Sequence, residues 1–141
     1  SGPALPRPGR GGLMLRALFC LACLATAAQA ETAMTAAEFE AWSTGRTLDY
    51  FVDGVIWGSE MHLPGRATVD ADAGGACRSG HWYPQDDAIC FVYDVSPGPY
   101  CWRFLKDGDQ VLAEYAGDLA AGRISVTLSD TAIPCDPGVG V

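Results

Sequence analysis

Glu60 and His62 are the residues of this chain whose types and spacing best suit chemistry. One residue separates them, so on a β-strand they lie on the same face. A carboxylate beside an imidazole can bind a metal ion or relay protons. The apolar residues Trp57 and Met61 alternate with the pair, so we expect Glu60 and His62 on the outer, solvated face of the strand. His81 is the second of two histidines, and we expect it at the surface as well.

Other catalytic patterns are missing from the sequence. A nucleophilic triad needs a serine or cysteine beside a base, and the chain contains no Gly-x-Ser-x-Gly elbow. It also contains no glycine-rich phosphate loop. We therefore predict that the protein is not an enzyme and has no catalytic residue, no metal site and no cofactor. An enzyme that uses Glu60 and His62 remains the alternative.

Aromatic residues are the strongest sign of a ligand site. The chain has four tryptophans and five tyrosines. Most of them should fill the interior of a small β-domain. A few could instead line an open mouth and form a small apolar ligand site. The candidates for that lining are Trp57, Trp82, Tyr93 and Trp102.

Four cysteines follow the N-terminal region: Cys77, Cys90, Cys101 and Cys135. An even number in a small exported domain predicts two disulfides. Strand parity places Cys90 and Cys101 on the same, outer face of a hairpin. We favour Cys90–Cys101 and Cys77–Cys135, although four cysteines allow three pairings. A tight turn at Pro97-Gly98 would hold Cys90 and Cys101 too far apart, so this pairing requires a wider loop or a bulge.

The N-terminal region predicts export. Residues 1–13 are rich in Pro, Gly and Arg, and we expect a disordered or non-native upstream segment. Residues 14–30 contain a basic n-region, an apolar run and a small-x-small cleavage site, the three parts of a signal peptide. The apolar run is about half the length of a membrane-spanning helix, and a lipoprotein box fits poorly. We expect a single disulfide-bonded domain over residues 31–141, periplasmic or secreted, with no membrane anchor after cleavage.

The charge of that domain restricts its partners. Six basic and 17 acidic residues fall within residues 31–141, which gives a net charge of −11. Nucleic acid requires a basic surface, and anionic lipid does too. Both are therefore excluded, whereas a basic protein partner fits. Solubility alone also explains the charge.

The remaining pattern predicts one helix followed by strands. Thr35 and Glu38 form a capping box, Phe39 and Trp42 share one helical face, and Gly45 ends the helix. We expect Phe39 and Trp42 to be buried, plugging one end of a barrel. After Gly45 the apolar residues recur at every second position, in about eight short segments separated by turn signals. These features predict a mostly β domain, an antiparallel meander closing into a small barrel.

Four segments of the sequence resemble short exported proteins of unknown function from alphaproteobacteria. They are Met34 to Leu48, Gly75 to Trp82, and the pair Ile89 to Tyr93 with Cys101-Trp102. The resemblance implies a lipocalin-like or calycin-like small barrel with an N-terminal helix. It implies no catalytic or binding residue.

These observations predict a non-catalytic binding module of the cell envelope. Its ligand would be a small apolar molecule or a protein partner. A structural or stress-protective envelope protein is the alternative. A cavity of a few hundred Å³ inside the barrel would favour ligand binding, whereas a filled interior would favour a protein partner.

Overall fold

The computed structural model describes residues 2–6, 9, 31–72 and 75–135, without the side chain of residue 72. Residues 2–6 and 9 are exposed and have no regular secondary structure. The predicted signal peptide lies outside the described residues. Of the described residues, no helix is long and apolar enough to cross a bilayer.

The described chain forms one α-helix and nine strands. The strands are all antiparallel to their neighbours. In chain order the elements are β1 (Thr32–Ala33), α1 (Ala36–Ser43), β2 (Thr47–Val52), β3 (Val55–His62), β4 (Ala67–Asp72), β5 (Arg78–Gln85), β6 (Ala88–Tyr93), β7 (Tyr100–Asp107), β8 (Gln110–Tyr115) and β9 (Arg123–Ser129), with short 3₁₀ turns at Pro64–Arg66 and Leu119–Ala121.

Strands β2 to β9 form a closed barrel. Each strand pairs with the next along the chain, and β9 pairs back with β2. The short strand β1 is a ninth member that pairs with β7 outside this ring. Closure leaves the ring without a free edge. The predicted mostly β class, meander and barrel are thus confirmed.

Links between antiparallel strands alternate between the two ends of such a barrel. The Asp53-Gly54 turn of the β2–β3 hairpin has positive φ at both residues, 49° and 76°, which favours a Gly at the second position. This turn lies at the same end as the β4–β5, β6–β7 and β8–β9 links. We call that end the mouth. The links after α1, β3, β5 and β7 lie at the opposite end.

Helix α1 closes the end opposite the mouth. The Thr35 side chain accepts a hydrogen bond from the Glu38 N–H, and the Glu38 carboxylate accepts one from the Thr35 N–H, as the capping box predicts. The Gly45 N–H donates to the His62 carbonyl at 2.8 Å, which fixes the helix end to β3. At this position φ is +78°, a conformation that favours glycine.

Phe39 lies at the centre of the plug, which is our name for α1 and the aromatic rings packed against it at the closed end of the barrel. Phe39 is fully buried, and its ring contacts the rings of His62, Trp82, Phe91 and Phe104 at centroid distances of 4.5 to 6.3 Å. Trp42 packs against this cluster but is only partly buried. The predicted burial is therefore confirmed for Phe39 and wrong in degree for Trp42. A helix of eight residues presents only a narrow apolar stripe. The Phe39 ring therefore occupies the buried cluster, and the Trp42 ring, 5.9 Å away, packs against the edge of this cluster.

The predicted face of Glu60 and His62 is wrong. Both side chains point into the barrel, where Glu60 is 2 % and His62 is 1 % exposed. Their cross-strand partners Asp70 and Thr68 share that face. The alternation pattern assumes that apolar residues face inward, and this part of the wall is polar. His81 is exposed, as predicted.

The four cysteines pair as the sequence favours, Cys90 with Cys101 and Cys77 with Cys135. Cys90 and Cys101 lie directly opposite each other on β6 and β7, with Cα atoms 3.9 Å apart. The wider loop that this pairing requires is present, because residues 94–99 separate the two strands. Cys77–Cys135 ties the segment after β9 to the start of β5. Two disulfides are compatible with an oxidising compartment.

Candidate functional site

A cavity occupies the half of the barrel nearest the mouth. Its volume is about 250 Å³, and it opens to solvent. Several lining residues stand at the mouth ends of their strands, since Arg78 begins β5, Tyr93 ends β6 and Tyr100 begins β7. The lining consists of Tyr50, Trp57, Gly58, Ser59, Glu60, Asp70, Ala71, Arg78, Phe91, Tyr93, Tyr100 and Trp102.

Three of the four predicted lining aromatics reach this cavity: Trp57, Tyr93 and Trp102. Trp82 does not, because it is 3 % exposed within the plug at the closed end. There its ring contacts Phe39 at 5.1 Å and lies 4.5 Å beneath the Arg66 guanidinium. Its place on the inner face was predictable from alternation, but its depth along the barrel axis was not.

A bulge places Trp57 at the mouth. Tyr50 pairs with Gly58 and Phe51 with Ile56, so Trp57 is the extra residue of β3. Trp57 is 51 % exposed, and its ring lies 6.4 Å from the ring of Trp102. Bulges redirect one side chain relative to the regular pleat. This one leaves an indole partly in the cavity and partly in solvent.

Glu60 accepts hydrogen bonds from three side chains inside the barrel. The Tyr93 hydroxyl donates to Oε2 at 2.7 Å, and the Tyr50 hydroxyl donates to Oε1 at 3.2 Å. His62 Nε2 lies 2.8 Å from the same Oε1. A buried carboxylate is tolerable only when such partners replace water. Three donors from β2, β3 and β6 meet this requirement.

The two phenols are held in the protonated form. Burial raises the pKa of Tyr50 well above its ordinary value, and the nearby Glu60 charge raises it further. Burial also raises the pKa of Tyr93, again with Glu60 as the second cause. An ionised phenol beside a carboxylate would place two negative charges in a low-dielectric interior. Tyr50 and Tyr93 therefore act as hydrogen-bond donors and not as proton acceptors.

Asp70 and Arg78 extend the polar wall toward β5. The guanidinium donates to both carboxylate oxygens, at 2.9 and 2.6 Å, in a bidentate pair. It also lies 4.7 Å above the Tyr93 ring. A Cβ at Gly80, the cross-strand partner of Tyr93, would approach that ring to 2.7 Å. The glycine thus makes room for the phenol that reaches Glu60.

Two buried polar atoms next to this wall lack a hydrogen-bond partner in the described part of the protein. They are His62 Nδ1 and Thr68 Oγ1, on residues that pair across β3 and β4. Neither residue lines the cavity. Within the described ranges, no group of three or more His, Cys, Asp or Glu side chains is arranged to hold a metal ion.

Apolar side chains surround the mouth. The large hydrophobic residues exposed within residues 31–72 and 75–135 all lie on or beside the β2–β3, β6–β7 and β8–β9 links. We call this set the apolar rim. It consists of Val52, Val55, Ile56, Trp57, Val95 and Leu119, with exposed fractions of 41 to 68 %.

A second cavity of about 310 Å³ lies beside Trp42, along β8 and β9. Asp109 is the one charged side chain among its described lining residues, and none of these residues is a buried polar group. The barrel cavity is therefore the better candidate site, since it combines aromatic rings with fixed polar groups.

Comparisons with protein-family models, with curated proteins and with solved structures find no match to this chain. The resemblance to exported alphaproteobacterial proteins thus stays a prediction.

Proposed function

We propose that the protein is a non-catalytic binding module that holds a small molecule in the mouth-side cavity of its barrel. The observation that carries this proposal is an open cavity of about 250 Å³ that is lined by aromatic rings and by the polar wall of Glu60, Asp70 and Arg78. Ligand sites commonly combine a mostly apolar lining with a few fixed polar groups. A barrel of eight strands is also the size that holds one small ligand.

The volume limits the size of the ligand. A dry protein cavity of about 150 Å³ accommodates benzene. By proportion, the cavity here holds a molecule of about ten non-hydrogen atoms. The polar groups along one wall mean that the ligand is not purely apolar, since a hydrocarbon would cover Glu60, Asp70 and Arg78 without replacing their water.

Binding is a better account of the site than catalysis. Glu60 and His62 are the pair that an enzyme would use, and the Glu60 carboxylate lines the cavity. Glu60 is engaged by two phenols as well as by the imidazole. His62 is not part of the cavity lining. A general base must reach the proton that it removes, and this arrangement favours a positioned anchor over a base.

Thermal unfolding with a set of small aromatic compounds tests the proposal. At a concentration about ten times Kd, a ligand should stabilise the protein by about 1.4 kcal/mol. That corresponds to a Tm increase of about 5–10 °C for a domain of this size. The Trp102→Leu variant should lose the increase, while Trp42→Leu, at the second cavity, should retain it. Retention by Trp102→Leu and loss by Trp42→Leu would contradict the proposal.

The apolar rim favours a second candidate, a protein partner that docks at the mouth. Contiguous exposed apolar residues mark interaction sites when they are large enough. The acidic surface would suit a basic partner. Replacing Val55 and Ile56 with Ser should weaken such a complex and leave small-molecule binding within about twofold, which separates the two candidates.

We infer export to the periplasm or beyond, on the basis of residues 14–30 and of two disulfides. N-terminal sequencing of the exported protein should begin at Glu31. Exported protein that retains Leu15 would contradict cleavage at this site.

A further inference from the structure

The charges around the cavity do not cancel. Among the lining residues whose side chains are described, Glu60 and Asp70 are carboxylates and Arg78 is a guanidinium, so the formal sum of this set is −1. Arg78 is committed to Asp70 through the bidentate pair. Glu60 has no Lys or Arg partner among the described hydrogen bonds and ion pairs, and its neighbours are Tyr50, Tyr93 and His62.

A negative charge buried in this way has a strong preference for a cation. Taking a carboxylate out of water costs free energy that neutral donors offset only in part. A cation that enters the cavity would offset more of this cost, because attraction between opposite charges is stronger where water is excluded. Among the described lining residues, an anion would meet two carboxylates and one guanidinium that is already paired.

The aromatic walls suit the same kind of ligand. Trp57, Trp102 and Tyr100 line the same cavity as Glu60 and Asp70, and the rings of the two tryptophans lie 6.4 Å apart. Ring faces attract cations within about 6 Å. The cavity already contains one such contact, since the Arg78 guanidinium lies 4.7 Å above the Tyr93 ring. An organic ammonium group would make both kinds of contact at once.

We propose that the ligand is a small organic ammonium ion, with the cationic group directed to Glu60 and its aromatic or aliphatic body held by Trp57, Tyr100 and Trp102. This inference rests on the proposed binding function and specifies its ligand class. A fourth acceptor position on the Glu60 carboxylate remains for the ligand, because a carboxylate offers about four and three are used. The remaining cavity volume accommodates the body.

Three probes with one aromatic body and different charges test the inference. They are 2-phenylethylammonium, 2-phenylethanol and phenylacetate, titrated calorimetrically at neutral pH into the disulfide-bonded full chain. The cation should bind about tenfold more tightly than the alcohol, because its bond to Glu60 is charge-assisted. Phenylacetate should bind most weakly.

Two variants test whether Glu60 causes the preference for the cation. Glu60→Gln keeps the shape of the side chain and should weaken binding of the cation about tenfold while leaving the alcohol within about twofold. Asp94→Asn removes one negative charge from an exposed residue of the β6–β7 loop and should change neither probe by more than about twofold.

The failures of the two proposals are distinguishable. Equal affinity for the cation and the alcohol, or tightest binding of phenylacetate, would overturn the ammonium inference and leave the binding module in place. The absence of binding by all three probes would count against both. If Glu60→Gln does not fold, as judged by near-ultraviolet circular dichroism, the order of the three probe affinities on the unmodified chain still tests the ammonium inference.

Discussion

The Tyr93 hydroxyl donates to Glu60 Oε2 at 2.7 Å across the interior of the barrel. The two residues are 33 positions apart, on strands that do not pair with each other. Their contact therefore joins two strands that are not neighbours through the barrel interior and not through the sheet. It places a stabilising interaction within the candidate ligand site.

Removing this hydroxyl should destabilise the protein. Tyr93→Phe should lower the free energy of unfolding by about 1.5–3 kcal/mol, the usual range for a hydrogen bond to a charged group. Urea denaturation measures the change. Tyr83→Phe is the matched control, because Tyr83 pairs with Cys90 on the outer face, and its cost should stay below about 0.5 kcal/mol. Equal costs at the two positions would contradict the role of Tyr93.

Alternation of apolar residues along the sequence located most of the inner wall. Phe91, Tyr93, Phe104 and Ala113 face inward as this pattern predicts, because the barrel wall at β6 to β8 is apolar. The same rule failed at β3 and β4, where Glu60 and Asp70 line the cavity. A period of two fixes which residues share a face but not which face is inside.

The polar wall could not be predicted from the pattern of single strands. Glu60, Asp70 and Arg78 become neighbours only through the β3–β4 and β4–β5 registers, which one sequence does not specify. The depth of Trp82 and the bulge at Trp57 also depend on how the barrel closes. The capping box and the Asp53-Gly54 turn were predictable, because their signals are local.

Phe39 and Trp42 should differ in their contribution to stability. Phe39→Ala removes a fully buried ring and should cost about 3–5 kcal/mol. Trp42→Ala removes a partly buried ring at the edge of the same cluster and should cost less, about 1–2 kcal/mol. Urea denaturation of both variants measures the difference. A larger loss for Trp42→Ala would mean that α1 packs by a different face.

The two disulfides should also contribute unequally. Cys77–Cys135 spans 58 residues and Cys90–Cys101 spans 11. Loop-closure entropy predicts that losing the first costs about 4 kcal/mol and losing the second about 3 kcal/mol. Paired Cys→Ala variants, compared by urea denaturation, measure both values. Titration of the native protein with a thiol reagent should find no reactive cysteine in the described domain, and reactive native thiols would contradict the pairing.

Glu38 should make stability depend on acid pH. Its bond from Lys106 Nζ, at 2.6 Å, and its bond from the Thr35 N–H lower the pKa of this carboxyl from 4.5 to about 2. Because the folded-state pKa is lowered, the stabilisation is present above pH 4.5 and is lost as the pH falls toward 2. Between these limits the wild type should lose more stability than Glu38→Gln in urea denaturation. Parallel curves for the two proteins would contradict the assignment.

The indole N–H signals of the four tryptophans give the most direct test of the cavity as a ligand site. Trp57 and Trp102 line it, whereas Trp42 and Trp82 lie outside it. Titration of ¹⁵N-labelled protein with 2-phenylethylammonium, and separately with 2-phenylethanol, should shift the Trp57 and Trp102 signals in a saturable manner for at least one probe. The Trp42 and Trp82 signals should stay in place. Saturable shifts at Trp42 alone, or no shift with either probe, would contradict the account.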